Sequence, residues 1–195
     1  QGLVIDKLLE SLIVDKSVNL DDMLIGDKNA IMVAARVLGY GKDYEFTYDG
    51  EEQSVDLSKL EPVDMDFSKF TKGKNEFNFK LPNSEREITF KLLNGGDEKK
   101  VTDEIQAREK ISKEQSSELT TRFKHMILSV DGKSDKKHIN NFIDNEFLSR
   151  DSLVFRQYLS SITPDVDMTT KVIDSTGKES EVTIPVTLRF FWPTT

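Results

Sequence analysis

The feature that most constrains the fold is a change of hydrophobic period along the chain. Residues 76–81 (EFNFKL) and 87–92 (EITFKL) alternate polar and apolar side chains on either side of Pro82-Asn83-Ser84. Alternation with a period of two predicts β-strands, and the turn-forming residues between them predict a hairpin. Because apolar residues elsewhere recur every three or four positions, the same chain must also form amphipathic helices.

Two further hairpins are predicted, one on each side of this region: 44–48 with 54–57 around Asp49-Gly50, and 168–173 with 181–191 around 174–177. The first is expected to have a loop longer than two residues. Pro185 lies inside the last predicted strand, and proline in a strand indicates an edge or a bulge.

Helices account for most of the remaining pattern. Residues 3–14 form the first, and a second runs from a cap at Asp27 through Ala35 and ends at Gly39 and Gly41. The middle of the chain is expected to be helical over 97–113, along the stripe of Leu119, Phe123, Met126, Ile127 and Val130, and after the caps Asp135 and Ser149.

This order of elements predicts an α+β fold, in which β-hairpins flank a mostly helical middle. We divide the chain into an N-terminal helical segment (1–42), a β-hairpin region (43–94), a helical region (95–163) and a C-terminal hairpin with an aromatic tail (164–195). The four segments are expected to form one compact domain. Since Gln1 is not a start methionine and the helical pattern begins at once, the sequence is expected to begin inside a longer chain.

Composition excludes several classes of function. The formal net charge is −8, and phosphate binding requires a basic surface, so a general nucleic-acid binder is not expected. The chain has no cysteine, which rules out disulfides, thiolate zinc sites and cysteine nucleophiles. Without an apolar run of about 18 residues, no membrane partner is expected either.

Candidate catalytic residues are few. His125 and His138 have no second histidine or carboxylate at the spacing of a helical metal site, and no Gly-x-Ser-x-Gly turn is present. The acidic pairs Asp21/Asp22 and Glu51/Glu52 are better explained as solvated surface. We therefore expect no enzyme activity, cofactor or metal.

The segment Gly95-Gly96-Asp97-Glu98 could be interpreted as a phosphate-binding turn before a helix. Its carboxylates would occupy and repel the place of an anion, and acidic residues favour a helix N-terminus. A strand-to-helix turn is the better interpretation.

Two hairpin turns share the spacing of a zinc knuckle without its thiols. Phe46 and Asp49 precede Gly50, and Ile173 and Thr176 precede Gly177, each pair being separated by two residues. In isolation these are ordinary hairpin glycines.

With their surroundings, these turns resemble the T4-type baseplate hub (baseplate assembly) proteins of contractile-tailed bacteriophages. The resemblance is carried, in order, by residues 22–36 (DMLIGDKNAIMVAAR), 39–45 (GYGKDYE), 81–82 (LP), 89–98 (TFKLLNGGDE), 149–152 (SRDS), 184–185 (IP) and 190–193 (FFWP). It covers nearly the whole chain from Asp21.

The resemblance implies that relatives pair the two turns around one zinc ion. At the matching positions this chain has Phe46, Asp49, Ile173 and Thr176, so it implies a degenerate, cysteine-less zinc-ribbon-like pair of hairpins without metal. We expect apolar contact, including Phe46 and Ile173, to hold these hairpins together instead.

The resemblance also implies a non-enzymatic role in the virion, at the tail baseplate, after assembly in the host cytoplasm. The partners would be other tail proteins (hub, tube or tape measure) or further copies of the chain. Two alternatives stay open: a structural subunit of the baseplate, or an assembly chaperone for the hub or tape measure protein that is absent from the mature virion.

The aromatic tail is the predicted partner-binding site. It comprises Phe190, Phe191, Trp192 and Pro193, and large aromatic side chains are favoured anchors at interfaces. The alternative is that the tail folds back and covers the core of its own chain.

Overall fold

The computed structural model describes residues 2–111 and 118–192. They form two compact units, and each is described by itself. Unit one combines 2–20, 25–63 and 164–192, whereas unit two combines 21–24, 64–111 and 118–163. The four consecutive segments expected from the sequence divide the chain differently, because unit one is built from both ends of the chain.

Unit one contains helices beside two antiparallel hairpins. Its helices are α1 (Gly2–Leu12), α2 (Ile25–Tyr40) and a short α7 (Leu188–Phe191), and its strands are β1 (Asp43–Tyr48), β2 (Glu51–Asp56), β6 (Thr169–Ile173) and β7 (Glu179–Thr183).

Unit two packs helices on a three-stranded sheet. Its helices are α3 (Gly95–Ile111), α4 (Glu118–Met126), α5 (Lys136–Asn141), followed by a π-helical turn (Phe142–Glu146), and α6 (Ser149–Ile162), and its strands are β3 (Phe77–Lys80), β4 (Glu87–Phe90) and β5 (Ile127–Val130). The chain therefore has the predicted α+β fold, with hairpins flanking a helical middle.

The core of unit two lies where α6 covers the sheet. Phe155 of α6 is fully buried and meets Phe90 of β4 edge to face, with ring centroids 4.9 Å apart. Phe77 pairs with Phe90 across β3 and β4, and Phe123 of α4 joins the same cluster. Burial of several aromatic rings at close distance stabilises this unit, because each contributes a large apolar area.

Strand β5 corrects a prediction. Ile127 and Val130 were expected on the apolar stripe of a helix, but the helix ends at Met126 and the chain continues as a strand paired with β4. Both side chains are buried in the core. A three-residue spacing of buried side chains fits a helix, and it also fits a short strand whose first and last residues are buried. The pairing with β4 makes this segment a strand.

A buried carboxylate connects α6 to the turn of the central hairpin. Asp151 is fully buried, and its Oδ1 accepts hydrogen bonds from the backbone N–H and the side-chain amide of Asn83, both at 2.8 Å. Its Oδ2 accepts from the Ser84 N–H at 2.9 Å. Burial alone would raise the pKa of Asp151, but the bonds from Ser84 and Asn83 outweigh it and hold the pKa below its ordinary value.

The first hairpin of unit one has a tighter turn than predicted. Tyr48 pairs with Glu51, so the loop contains only Asp49 and Gly50. Their φ angles are 49° and 81°, the left-handed conformation that a two-residue type I′ turn requires at both positions. The prediction of a longer loop was therefore wrong, because Asp-Gly can adopt this tight geometry.

The last hairpin is shorter than predicted. Strand β7 ends at Thr183, so Pro185 lies beyond the strand, and the tail turns into α7. The predicted strand over 181–191 is wrong in its second half. A proline has no N–H for a ladder, which agrees with its position just outside the paired residues.

Helix α2 begins earlier than predicted, at Ile25, so Asp27 lies in its first turn rather than at its cap. Gly26 is buried, and a side chain there would overlap the backbone carbonyl of Pro164. Close backbone contact between α2 and the segment after Thr163 therefore requires glycine at this position.

Among the helices of the described residues, none combines the length and the apolar character that crossing a membrane requires.

Replacement of Gly26 by alanine is expected to destabilise unit one by about 1–3 kcal/mol, because the new Cβ must displace backbone atoms. Gly39→Ala is the matched control in the same helix, since nothing lies within 4 Å of its Cβ position. It should be neutral or stabilise by up to about 1 kcal/mol. Urea denaturation followed by circular dichroism measures both, and an equal effect of the two would contradict the close contact.

Asp151→Asn is expected to lower the free energy of unfolding by about 1–3 kcal/mol at pH 7, because an amide cannot accept all three hydrogen bonds. Since the folded pKa is lowered, the carboxylate's contribution is complete above its ordinary pKa of 3.8 and is lost as the pH falls through the folded pKa.

As the pH is lowered below 4, the free energy of unfolding should therefore fall less for the variant than for the wild type. Urea denaturation across a pH series measures this difference. Asp103→Asn, at an exposed position of α3, should stay within about 0.5 kcal/mol of wild type.

Candidate functional site

A buried arginine organises the part of unit one where β1 begins. Arg36, near the C-terminal end of α2, is 4% exposed. Its Nη1 donates to the Gly41 carbonyl at 2.8 Å and its Nη2 to the Asp43 carbonyl at 3.1 Å. These oxygens lie where the negative end of the helix dipole also favours a cation. The arginine thereby fixes the path of the chain from α2 into β1.

Aromatic rings cover the remaining faces of this guanidinium. Its central carbon lies 5.4 Å from the ring centre of Tyr40 and 5.8 Å from that of Tyr44. Attraction between a cation and aromatic faces partly replaces the lost hydration of Arg36. Its Nε is buried without a hydrogen-bond acceptor among the described residues.

Tyr44 links this centre to the C-terminal segment. Its hydroxyl donates to the Pro185 carbonyl at 2.8 Å, and its ring meets Phe190 edge to face at 4.9 Å. Burial raises the pKa of the Tyr44 hydroxyl above its ordinary value, although Thr187 and nearby guanidinium groups oppose this shift. The hydroxyl therefore stays protonated and donates its hydrogen bond at neutral pH.

The aromatic tail is divided by this arrangement. Phe190 and Phe191 are buried, at 0% and 2% exposure, and their rings contact each other at 5.1 Å. They cover the core of their own unit, which corrects the prediction that they bind a partner. Trp192 is 44% exposed, and Pro193 lies outside the described residues.

Hydrogen bonds join the two hairpins of unit one at the two knuckle-like turns. Gln53 of β2 donates from Nε2 to the Ile173 carbonyl at 2.9 Å, and the Ile173 N–H donates to Gln53 Oε1 at 3.4 Å. The Ser175 hydroxyl donates to Asp49 at 3.0 Å.

The expected apolar contact between Phe46 and Ile173 stays a prediction. The Ile173 side chain is 58% exposed, and Phe46 stacks on Tyr44 with ring centres 5.9 Å apart. Thr176 donates from its N–H and hydroxyl to Asp174 within its own turn. In the part of the chain that the structure describes, no group of three or more histidine, aspartate or glutamate side chains is placed to hold a metal ion.

A cavity of about 670 Å³ lies along β1. It is lined by Arg36, Tyr40, Asp43, Tyr44, Glu45, Phe46, Thr47, Glu52, Pro185, Thr187 and Arg189. The strand contributes five consecutive residues to this lining, so the cavity runs beside the edge of the strand rather than into the core.

Several of the charged groups in and near this cavity are already paired. Arg36 is committed to its carbonyls, and Lys42 at the start of the hairpin pairs with Asp56 at 2.7 Å, which lowers the pKa of Asp56 to about 2. Glu45 and Glu52 are exposed on the hairpin. Arg189 of α7 is also exposed and lines the cavity. The hairpin itself therefore offers acidic side chains, whereas the C-terminal segment offers a basic one.

Both histidines and the glycine turn before α3 lie in unit two. His125 of α4 contacts Glu104 of α3 at 2.9 Å, and His138 lies in the first turns of α5. Asn94 and Asp97 cap α3 reciprocally: the Asp97 N–H donates to the Asn94 side chain at 2.9 Å, and the Asn94 N–H donates to Asp97 at 3.3 Å. Gly95 and Gly96 therefore belong to a helix start.

The two acidic pairs lie in different units. Asp21 forms an ion pair with Lys99 at 2.6 Å in unit two, and Glu51 and Glu52 begin β2 in unit one.

Sequence reasoning missed Arg36 and Gln53. Arg36 is the charged residue in the otherwise apolar run from Ala34 to Leu38, and a charge in such a run could have suggested a buried ion with dedicated acceptors. Gln53 carries no comparable signal, because an isolated polar residue in a strand is ordinary.

No protein-family model, no curated protein and no solved structure matches this chain.

Arg36→Lys is expected to destabilise unit one by about 1–3 kcal/mol, because an ammonium cannot span both carbonyls as the planar guanidinium does. Arg189→Lys is the matched control, since Arg189 is exposed, and it should change stability by less than about 0.5 kcal/mol. Urea denaturation with tyrosine and tryptophan fluorescence measures both. Equal stability of the two variants would contradict the organising role of Arg36.

Proposed function

We propose that this chain is a structural component of a contractile phage tail baseplate, acting through contacts with other tail proteins in the virion. The proposal starts from the resemblance of its ordered segments to the T4-type baseplate hub proteins. It assigns no catalytic residue and no cofactor.

The observation that carries the proposal is that the segments of the resemblance contact one another in the fold. Residues 22–36 contact 39–45 through Arg36, and Tyr44 of 39–45 contacts Pro185 and Phe190. In unit two, the Gly95 N–H donates to the Met23 carbonyl at 3.0 Å. These contacts place the segments of the resemblance in the framework of each unit rather than in isolated loops, which supports the proposal.

Among the described residues of the tail, Trp192 is available for a partner. Trp192 is 44% exposed beside the buried Phe191, with ring centres 6.1 Å apart. An aromatic side chain that is partly exposed and already in contact with its neighbour is a suitable interface anchor, because less side-chain entropy is lost on binding. We assign partner contact to Trp192 and not to the two phenylalanines.

Quantitative mass spectrometry of purified virions tests this function. We expect the chain at a fixed small-integer ratio to a tail protein of known copy number. Presence in assembly intermediates with absence from virions would instead favour the chaperone alternative. Absence from both would contradict the family assignment.

Trp192→Ala introduced into the phage genome extends the test to the interface. We expect the variant chain to fold but to be depleted from virions, because the side chain contributes to the interface rather than to the core. Leu38→Ala is the control, since Leu38 is 87% exposed on α2 and also apolar. Equal incorporation of both variants would contradict the role assigned to Trp192.

A further inference from the structure

Strand β1 has one edge that no strand covers among residues 2–111 and 118–192. Its sheet contains only β1 and β2 in the described chain. Because Tyr48 and Glu51 flank a two-residue turn, they form a hydrogen-bonded pair, and such pairs alternate along an antiparallel ladder. The peptide groups of Tyr44 and Phe46 therefore also point toward β2.

The intervening residues point the other way. The N–H and C=O groups of Asp43, Glu45 and Thr47 face away from β2, toward the open edge. Two hydrogen bonds agree with this alternation: the Leu57 N–H donates to the Lys42 carbonyl inside the ladder at 2.8 Å, and Arg36 reaches the outward carbonyl of Asp43.

Among the described residues, Arg36 is the group that bonds to this edge, and it does so at the Asp43 end. Beyond Asp43, the peptide groups of Glu45 and Thr47 remain as two donors and two acceptors at the spacing of a strand, and both residues line the cavity beside β1. An exposed row of this kind is a template for pairing with another extended chain.

The side chains beside this edge indicate what kind of chain fits. Glu45 and Thr47 lie on one face of the hairpin, and Glu52 is opposite Thr47 on the same face. Phe46 lies on the other face, half-buried against Tyr44. A segment alternating basic with apolar residues would meet carboxylates on one face and an aromatic ring on the other.

We propose that the open edge of β1 binds an extended, basic segment of a partner protein by β-strand addition, through the peptide groups of Glu45 and Thr47.

A second copy of this chain fits the edge poorly. Antiparallel pairing centred on Glu45 would place two Glu45 carboxylates directly opposite each other, and like charges at that position are destabilising. Each copy also carries a net charge of −8. The charges therefore favour a basic partner over self-association.

This inference goes beyond the proposed function and does not depend on it. It stands on the backbone register of β1 and on the charges beside it, whatever particle the protein belongs to. The virion experiment and the peptide-binding experiment can therefore fail independently.

The probe is a blocked eight-residue peptide that alternates lysine with valine, titrated into the full chain and followed by amide NMR with hydrogen exchange. In the free protein, the N–H groups of Tyr44, Phe46 and Tyr48 should be protected, whereas those of Glu45 and Thr47 should exchange rapidly. Saturating peptide should protect Glu45 and Thr47, because their N–H groups become hydrogen-bonded.

Backbone methylation of the peptide separates strand addition from charge attraction. Peptides N-methylated at every second amide keep the same side chains and charge, and they come in two alternating sets. One set should lose binding at least tenfold, because its amides face β1, whereas the other should bind within about twofold of the parent. Equal binding by both sets would overturn the proposal and leave only electrostatic adsorption.

A pair of protein variants tests which face of the hairpin the basic side chains of the peptide contact. Glu45→Lys should weaken the peptide about fivefold or more, and Glu51→Lys, which makes the same charge change on the opposite face of the hairpin, should have a smaller effect. Equal effects would overturn the assignment of the face. No binding at millimolar peptide, or a dimer of the free chain in sedimentation that protects Thr47, would overturn the proposal as a whole.

Discussion

A guanidinium group leaves water only if acceptors replace its hydration, and in unit one this requirement determines the path of the chain. Arg36 finds its acceptors in the carbonyls of Gly41 and Asp43, just after α2 ends. Their fixed positions orient the start of β1, so that the ring of Tyr44 lies against the guanidinium and its hydroxyl reaches Pro185. The C-terminal segment is therefore held by a residue at the end of the second helix. The same contact also closes one end of the β1 edge and leaves the rest open.

Unit two uses a carboxylate for a comparable purpose. Asp151, at the start of α6, accepts hydrogen bonds from the turn of the central hairpin. Phe155 of the same helix packs against Phe90 in the aromatic cluster. Both units thus combine an apolar core with a buried charge, Arg36 or Asp151, whose partners are mostly backbone groups. Such a charge stabilises a single arrangement, because any other arrangement leaves it without partners. In each unit, the removal of one side chain should therefore affect elements that are distant in sequence.

The candidate site could be predicted only in part. The positions of both knuckle-like turns were correct, since glycine and aspartate at hairpin turns have strong local preferences. The hydrogen bonds between Gln53 and the backbone of Ile173 could not be predicted, because the residue types suggested only an apolar contact. For the tail, three adjacent aromatic residues cannot all face one side of a strand. Which of them is buried depends on Tyr44, whose partner Pro185 is 141 positions away.

The sequence by itself determined the α+β class, the three hairpins and most helices, because periods of two and of about 3.6 residues and turn-forming pairs act over a few neighbours. Tertiary structure alone decided that 127–130 forms a strand, since β4 supplies the hydrogen bonds that a continuing helix would have made. It also decided that Phe190 and Phe191 belong to the core while Trp192 is exposed, and that Glu45 and Thr47 face an open edge. These outcomes depend on groups far apart in sequence, whose contacts form only once the chain has folded.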